Sequence, residues 1–116
     1  MLTLFNLFYE VRNGKVVKRI NYDLLSYLDE IALAYWSMDD GAWCKSGFYL
    51  HTKGFTFLEV SQLVAMLHYK FTLMCSVQNH EGRPVIYIKA KSMNHFRSLV
   101  LPYFHPSMMY KLKQVT

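Results

Sequence analysis

The sequence predicts an α+β domain, with helices laid on one face of a mostly antiparallel sheet and the other face left open. Three observations carry that expectation. Of the 116 residues, 53% are hydrophobic and 18% charged, which excludes disorder and supplies a core for one domain but not two. Apolar residues recur at helical spacing behind two capping patterns and again near the C-terminal end. Between those stretches the chain alternates with period two. No low-complexity stretch, internal repeat or Gly/Pro-rich linker divides it.

Taken in order, Leu2 to Tyr9 is compatible with a short helix or an apolar strand. Asn13-Gly14 is a turn signal, and Lys15-Val16-Val17-Lys18 behind it reads as a short extended piece. Ser26 with Asp29 fits the Ser-x-x-acid capping pattern and places a helix start there. Leu28, Ile31, Ala32, Tyr35 and Met38 then form one apolar stripe, and the helix stops at Gly41 after Asp39-Asp40. From Lys45 to Lys53, Phe48 and Leu50 point one way and Gly47, Tyr49, His51 and Lys53 the other. No partner for this strand is evident.

Thr56-x-x-Glu59 is a second capping box. It opens a helix to about Tyr69 with Phe57, Val60, Leu63, Val64 and Leu67 on its apolar face. Next, Leu73, Cys75 and Val77 oppose Ser76, Gln78 and His80. A turn at Glu81-Gly82 returns the chain as a hairpin partner, Pro84 to Lys91, in which Ile86 and Ile88 oppose Tyr87, Lys89 and Lys91. Ser92 begins a last helix ending by Pro102, and Pro106 starts a compact tail.

Thirteen Lys and Arg against eight Asp and Glu leave a charge of +5, which favours an acidic partner such as nucleic acid. The open face would carry Lys45, Tyr49, His51, Lys53, Ser76, Gln78, His80, Arg83, Tyr87, Lys89 and Lys91. In these strand and hairpin segments the only acid is Glu81, at a turn. Such side chains contact phosphates and hydrogen-bond to base edges. An ordinary solvated sheet face is the bland alternative, and the scarcity of acids argues against it.

Cys44 and Cys75 have no disulfide or zinc spacing and read as small buried hydrophobes. No apolar run reaches the length of a membrane span. Met1 to Tyr9 has neither a basic leader nor a small-residue cleavage site. A soluble intracellular protein with no membrane partner is the expectation.

Asp39-Asp40-Gly41 places two carboxylates where a helix carries partial negative charge, which disfavours them by roughly 0.3–1 kcal/mol each at exposed sites. A hard divalent cation would reverse that sign, and phosphodiester hydrolysis is a use for such an ion. A solvent-exposed Asp-Gly turn is the simpler alternative for an isolated pattern of this kind.

Here the residues resemble a family. Leu33-Ala34-Tyr35-Trp36-Ser37-Met38-Asp39-Asp40-Gly41 resembles the LAGLIDADG motif of homing endonucleases in the variant form LAYWFMDDG. Lys53-Gly54-Phe55-Thr56-Phe57-Leu58-Glu59-Val60 is similar to that family's QGFSFEEV segment. The run from Pro102 to Leu112 is similar to its closing PYIIPSMMYKL. The resemblance covers about Leu25 to Leu112, three motifs in order. It implies a saddle-shaped sheet in the DNA major groove, Asp40 as the catalytic acid that binds Mg²⁺ or another divalent cation, and Lys111 as the group supporting transition-state charge.

Residues 1–24 resemble the segment between the two motifs of a two-motif protein, leaving 25–116 as the domain. A single motif implies a homodimer or a separately encoded N-terminal half. The motif helix is apolar nearly all round, so Ile31, Ala32, Ala34 and Tyr35 are expected to meet a second helix, with Ala34 permitting close approach. The function implied is a double-strand DNA endonuclease. RNA-splicing maturase activity or RNA binding is the alternative within the family, and an interaction domain without nucleic acid is the third reading. Organelle introns often encode such proteins, so a mitochondrial or chloroplast matrix is the expected location.

Overall fold

The computed structural model describes residues 9–12, 15–18, 28–44 and 46–112. β1 (Tyr9–Arg12) and β2 (Lys15–Lys18) pair antiparallel in a sheet of their own, from Tyr9 opposite Lys18 to Arg12 opposite Lys15. The extended piece expected at Lys15 is therefore present, with a partner. The question left open over Leu2 to Phe8 falls outside the described residues.

α1 (Glu30–Asp40) is capped by Asp29, whose carboxylate accepts the Ala32 N–H at 2.8 Å. This corrects the start expected at Ser26, which lies outside the described residues. Asp29 is itself the cap, because a short acid just before the helix satisfies an orphan N–H directly. The predicted stripe is right only in part. Ala32, Leu33, Ala34, Trp36, Ser37 and Met38 are buried, while Ile31 is 40% exposed and Tyr35 half-buried.

β3 (Gly41–Cys44) follows α1 with no loop. The Gly41 N–H still bonds to Ser37 O, so one residue closes the helix and opens the strand. A Cβ there would stand 2.3 Å from both the Ser37 carbonyl oxygen and the Phe48 ring, so only glycine fits this switch. β3 is the missing partner of β4 (Gly47–His51), pairing antiparallel from Gly41 opposite Leu50 to Cys44 opposite Gly47.

α2 (Phe57–Phe71) has the expected capping box: Thr56 Oγ1 accepts the Glu59 N–H at 3.2 Å and Glu59 Oε1 accepts the Thr56 N–H at 2.8 Å. It runs past Tyr69 to Phe71, and its buried stripe is Val60, Leu63, Met66, Leu67 and Phe71, with Phe57 exposed in the first turn.

β5 (Cys75–His80) and β6 (Arg83–Ile88) form the expected hairpin. Glu81 and Gly82 both take positive φ, 54° and 82°, the left-handed pair that a two-residue hairpin turn requires. The four-stranded sheet has the order β3-β4-β6-β5 and is antiparallel throughout. β6 ends at Ile88, short of the expected Lys91. The Lys89 N–H bonds to Met74 O, and Ser92 Oγ accepts the Met74 N–H, both at 2.9 Å, as the chain leaves the sheet in the 3-10 turn Ala90–Ser92.

α3 (Met93–Val100) completes the helical layer over the face carrying Phe48, Leu50, Ile86 and Ile88, with the Phe48 and Phe96 ring centroids 5.0 Å apart. Burying side chains of this size contributes about 1.5–3 kcal/mol each. The tail folds as 3-10 turns at Leu101–Tyr103 and Pro106–Leu112, the latter fastened where Arg97 Nε donates to Leu112 O at 2.8 Å. Cys44 and Cys75 are both half-buried rather than fully buried, Cys44 on the open face, and desolvation pushes the Cys75 thiol up to about 12. Among the described residues no helix is long and apolar enough to cross a membrane.

Candidate nucleic-acid interface and acidic centre

Directly opposed residues of an antiparallel sheet share a face. The register therefore sets Ala42, Tyr49, Tyr87 and Ser76 in one row of the face away from the helices, His51, Val85 and Gln78 in the next, and Arg83 with His80 at the hairpin end. Of the residues expected on this face, Tyr49, His51, Ser76, Gln78, His80, Arg83 and Tyr87 are brought together.

Three others are not, and Lys45 lies outside the described residues. Lys53 stands exposed in the turn after β4, Lys89 follows the last residue of β6, and Lys91 sits in a 3-10 turn. The correction has one cause: side-chain alternation continues in the sequence after the ladder has ended. Ala42, Cys44 and Val85 belong to the face and were missed, the first two because β3 was.

The middle of the face is aromatic. The Tyr49 ring lies 4.7 Å from His80, edge to face, and 5.1 Å from its cross-strand partner Tyr87, centroid to centroid. Its hydroxyl donates to Gln78 Oε1 at 3.0 Å. Burial first, and the Cys44 thiol beside it, push the Tyr49 phenol above its ordinary value, so it keeps its proton. Tyr87 in turn covers Gly47, where a Cβ would lie 2.3 Å from the tyrosine oxygen.

The acidic centre is at one end of this face. Asp40 is the last residue of α1, and an open groove of about 810 Å³ is lined there by Asp39, Asp40, His51, Lys53, His80 and Arg83 among others. The buried Thr52 hydroxyl donates to Pro84 O at 2.7 Å and ties the end of β4 to the hairpin across the groove. Burial first, then the neighbouring Asp39 carboxylate, push the Asp40 carboxyl above its ordinary range, against the opposing pull of His51, Lys111 and Lys53.

Lys111 reaches the same helix end, its Nζ donating to Met38 O at 2.5 Å. An ammonium on a terminal carbonyl offsets the partial negative charge that Asp39 and Asp40 aggravate. Among the described residues no three His, Cys, Asp or Glu side chains gather to hold a metal ion. The donor set fits a hard cation as one carboxylate of a shared site, since Mg²⁺ is commonly held by one or two carboxylates with phosphates and water.

The residues expected to meet a second helix divide. Ala34 is 0% and Ala32 5% exposed within the chain itself, so neither offers a contact surface; Ile31 and Tyr35 do. The apolar surface of α1 is covered largely from within the domain. The α3 helix and the Leu101–Tyr103 turn pack on it as well as β3 and β4.

The family model for the LAGLIDADG DNA endonuclease family matches residues 1–96. This chain belongs to the LAGLIDADG DNA endonuclease family. Intron-encoded endonuclease ai4 of Dictyostelium discoideum is 41% identical over 111 residues, covering 93% of this chain and 70% of that protein. Probable intron-encoded endonuclease 1 of Wickerhamomyces canadensis is 42% identical over 113 residues, 90% of this chain and 48% of its own length. Cytochrome b mRNA maturase bI2 of Saccharomyces cerevisiae is 37% identical over 99 residues, 83% of this chain and 23% of that one.

Among solved structures, the homing endonuclease I-WcaI bound to its DNA recognition sequence matches with a TM-score of 0.82 at 39% identity, over 91% of this chain and 50% of that chain. The LAGLIDADG fold expected from the motifs is thus present. The chain spans about half the length of that endonuclease and of its Wickerhamomyces relative.

Proposed function

We propose that this LAGLIDADG chain is one domain of an intron-encoded, sequence-specific double-strand DNA endonuclease. The observation that carries the proposal is the continuity between a polar sheet face and the groove that holds Asp40. Asp40 would supply a carboxylate oxygen to Mg²⁺, with phosphate oxygens and water as the other donors. The cation, when bound, lowers the pKa of water and neutralises charge on the phosphate. His51, Lys53 and Arg83 line the groove as cationic or hydrogen-bonding groups for the backbone, and Lys111 adds positive charge at the helix end.

One acid serves one strand, so cleavage of both strands calls for a second domain, another copy or a separate half, seated on the side of α1 that presents Ile31 and Tyr35. Residues 1–24, which include the separately paired β1 and β2, would be a segment leading into the 25–116 domain. Intron-encoded relatives and a cytochrome b mRNA maturase among them support an organelle, first the mitochondrion, as the place of action.

The test is incubation of the full chain with a randomised duplex library, with and without Mg²⁺. Sequence-specific double-strand breaks that need the cation support the proposal. The maturase relative favours a second reading, RNA binding without cleavage. Selective retention of intron RNA with no DNA cut under any divalent cation would establish that one instead.

A further inference from the structure

Resting on the reading that the open sheet face lies against DNA bases, the geometry points to Tyr49 as a specificity-determining residue that acts through Gln78, fixing its amide so that position 78 meets the DNA as a hydrogen-bond donor. A glutamine side chain is ambiguous by nature. Its carbonyl accepts and its NH₂ donates, and rotation of the terminal amide exchanges them. A free Gln therefore pairs with an acceptor on one base and a donor on another, or with both on adenine.

Here the exchange is blocked. The Tyr49 hydroxyl donates to Gln78 Oε1 at 3.0 Å, reaching from β4 across β6 to the edge strand β5. In this structure the phenol proton is given to Gln78 Oε1, the amide carbonyl, with the Cys44 thiol also beside the hydroxyl. Tyr49 is not free to swing aside. Its ring is held between His80 at 4.7 Å and Tyr87 at 5.1 Å, and Tyr87 is itself seated over Gly47. The amide oxygen is drawn along the sheet and the Nε2 hydrogens remain for a ligand.

In the major groove guanine, adenine and thymine each present an acceptor, at N7 or O6, N7, and O4. Cytosine presents only its N4 donor. A donor fixed at position 78 thus selects against cytosine at the base it touches.

The test is selection of bound duplexes from a randomised library by the full chain, followed by sequencing, for wild type, Tyr49→Phe and Gln78→Glu. Wild type should disfavour cytosine at one position by about five-fold or more, the discrimination of one well-placed polar contact. Tyr49→Phe keeps the ring and removes the hydroxyl. It should bring that position to within about two-fold of indifference while the rest of the profile stays as in wild type. Gln78→Glu leaves the Tyr49 hydroxyl an oxygen to bond and presents an acceptor outward, so preference should pass to cytosine. A Tyr49→Phe profile identical to wild type, or a Gln78→Glu profile that still avoids cytosine, overturns the role of Tyr49 while leaving DNA reading by this face intact. Enrichment of no sequence by wild type overturns both.

Discussion

Asp40→Asn probes the acidic centre through stability and chemistry together. Asp40 ends α1, where unpaired carbonyls already concentrate negative charge, and Asp39 stands beside it. Burial and Asp39 raise its carboxyl above 3.8 despite His51, Lys111 and Lys53. A carboxyl with a raised folded-state pKa binds more protons folded than unfolded across the interval between the two values. Stability is therefore lost as pH rises from 3.8 through the folded value, and the loss is complete above it. Charge at a helix C-terminus costs about 0.3–1 kcal/mol at a site with this much solvent contact.

Asn retains the shape and removes the charge. Near neutral pH the variant should be more stable by about 0.3–1 kcal/mol, or roughly 1–6 °C in Tm for a domain of this size. Well below pH 3.8, where the wild-type carboxyl is protonated in both states, the two proteins should melt together. Calorimetry at the two pH values reads this directly. The same variant should lose cleavage while DNA binding is kept or tightened, a trade between stability and activity common at catalytic carboxylates. A lower Tm at neutral pH, or a gain that persists undiminished in acid, refutes the electrostatic account; equal loss of binding and cleavage counts against a metal role.

Ala34→Arg should unfold the domain rather than dissociate an assembly, since it buries an unpaired charge at a position 0% exposed; a loss above about 3 kcal/mol is expected in denaturant melts, and a folded, soluble variant would contradict the packing of α1. Arg83→Ala should lower the log–log salt slope of DNA binding by about one unit, whereas Lys91→Ala, off the sheet face, should leave it unchanged; fluorescence anisotropy across a salt series separates them. Thr72 terminates α2 at φ 59°, a conformation poorly suited to a β-branched side chain, so Thr72→Gly should raise stability by about 0.5–1 kcal/mol in thermal melts.

Where an element begins or ends in local chemistry, the residues disclose it. Thr56 and Glu59 satisfy each other's backbone N–H groups, and Glu81-Gly82 supplies the two positive φ angles of a hairpin turn. β3 had no such signature, because Gly41 serves α1 and the strand at once and no turn residue separates them. The buried side of α1 is likewise illegible: from Ile31 to Trp36 every residue is apolar, so periodicity has nothing to contrast, and the packing of α3 and the Leu101–Tyr103 turn on this helix has no local signal. Lys89 and Lys91 continue an alternation whose ladder has stopped. The Asp39-Asp40 pair stands out by its place at a helix end, whereas the roles of Asp40 and Lys111 are legible only through motif resemblance. That Lys111 bonds to the Met38 carbonyl, 73 residues away in the chain, is a tertiary fact with no local signal.

These junctions also explain how the acid is aimed. A carboxylate on a loop would sample many positions relative to the sheet, whereas Asp40 is followed at once by Gly41, whose N–H completes α1 and whose backbone opposes Leu50 in the ladder. Helix axis and strand direction are thereby fixed to each other across one residue. The neighbouring ladder position carries His51, and the Thr52 bond to Pro84 fixes the hairpin with Arg83 on the far side of the groove. Lys111 holds the preceding turn through Met38. A Cβ at Gly41 would strike the buried Phe48 ring and the Ser37 carbonyl oxygen alike, and since the latter is backbone, relief requires the chain that carries the acid to move. The precision of the centre thus resides in the residue that has no side chain, and the two carboxylates before it can be held at an electrostatically unfavourable helix end because the backbone there has nowhere else to go.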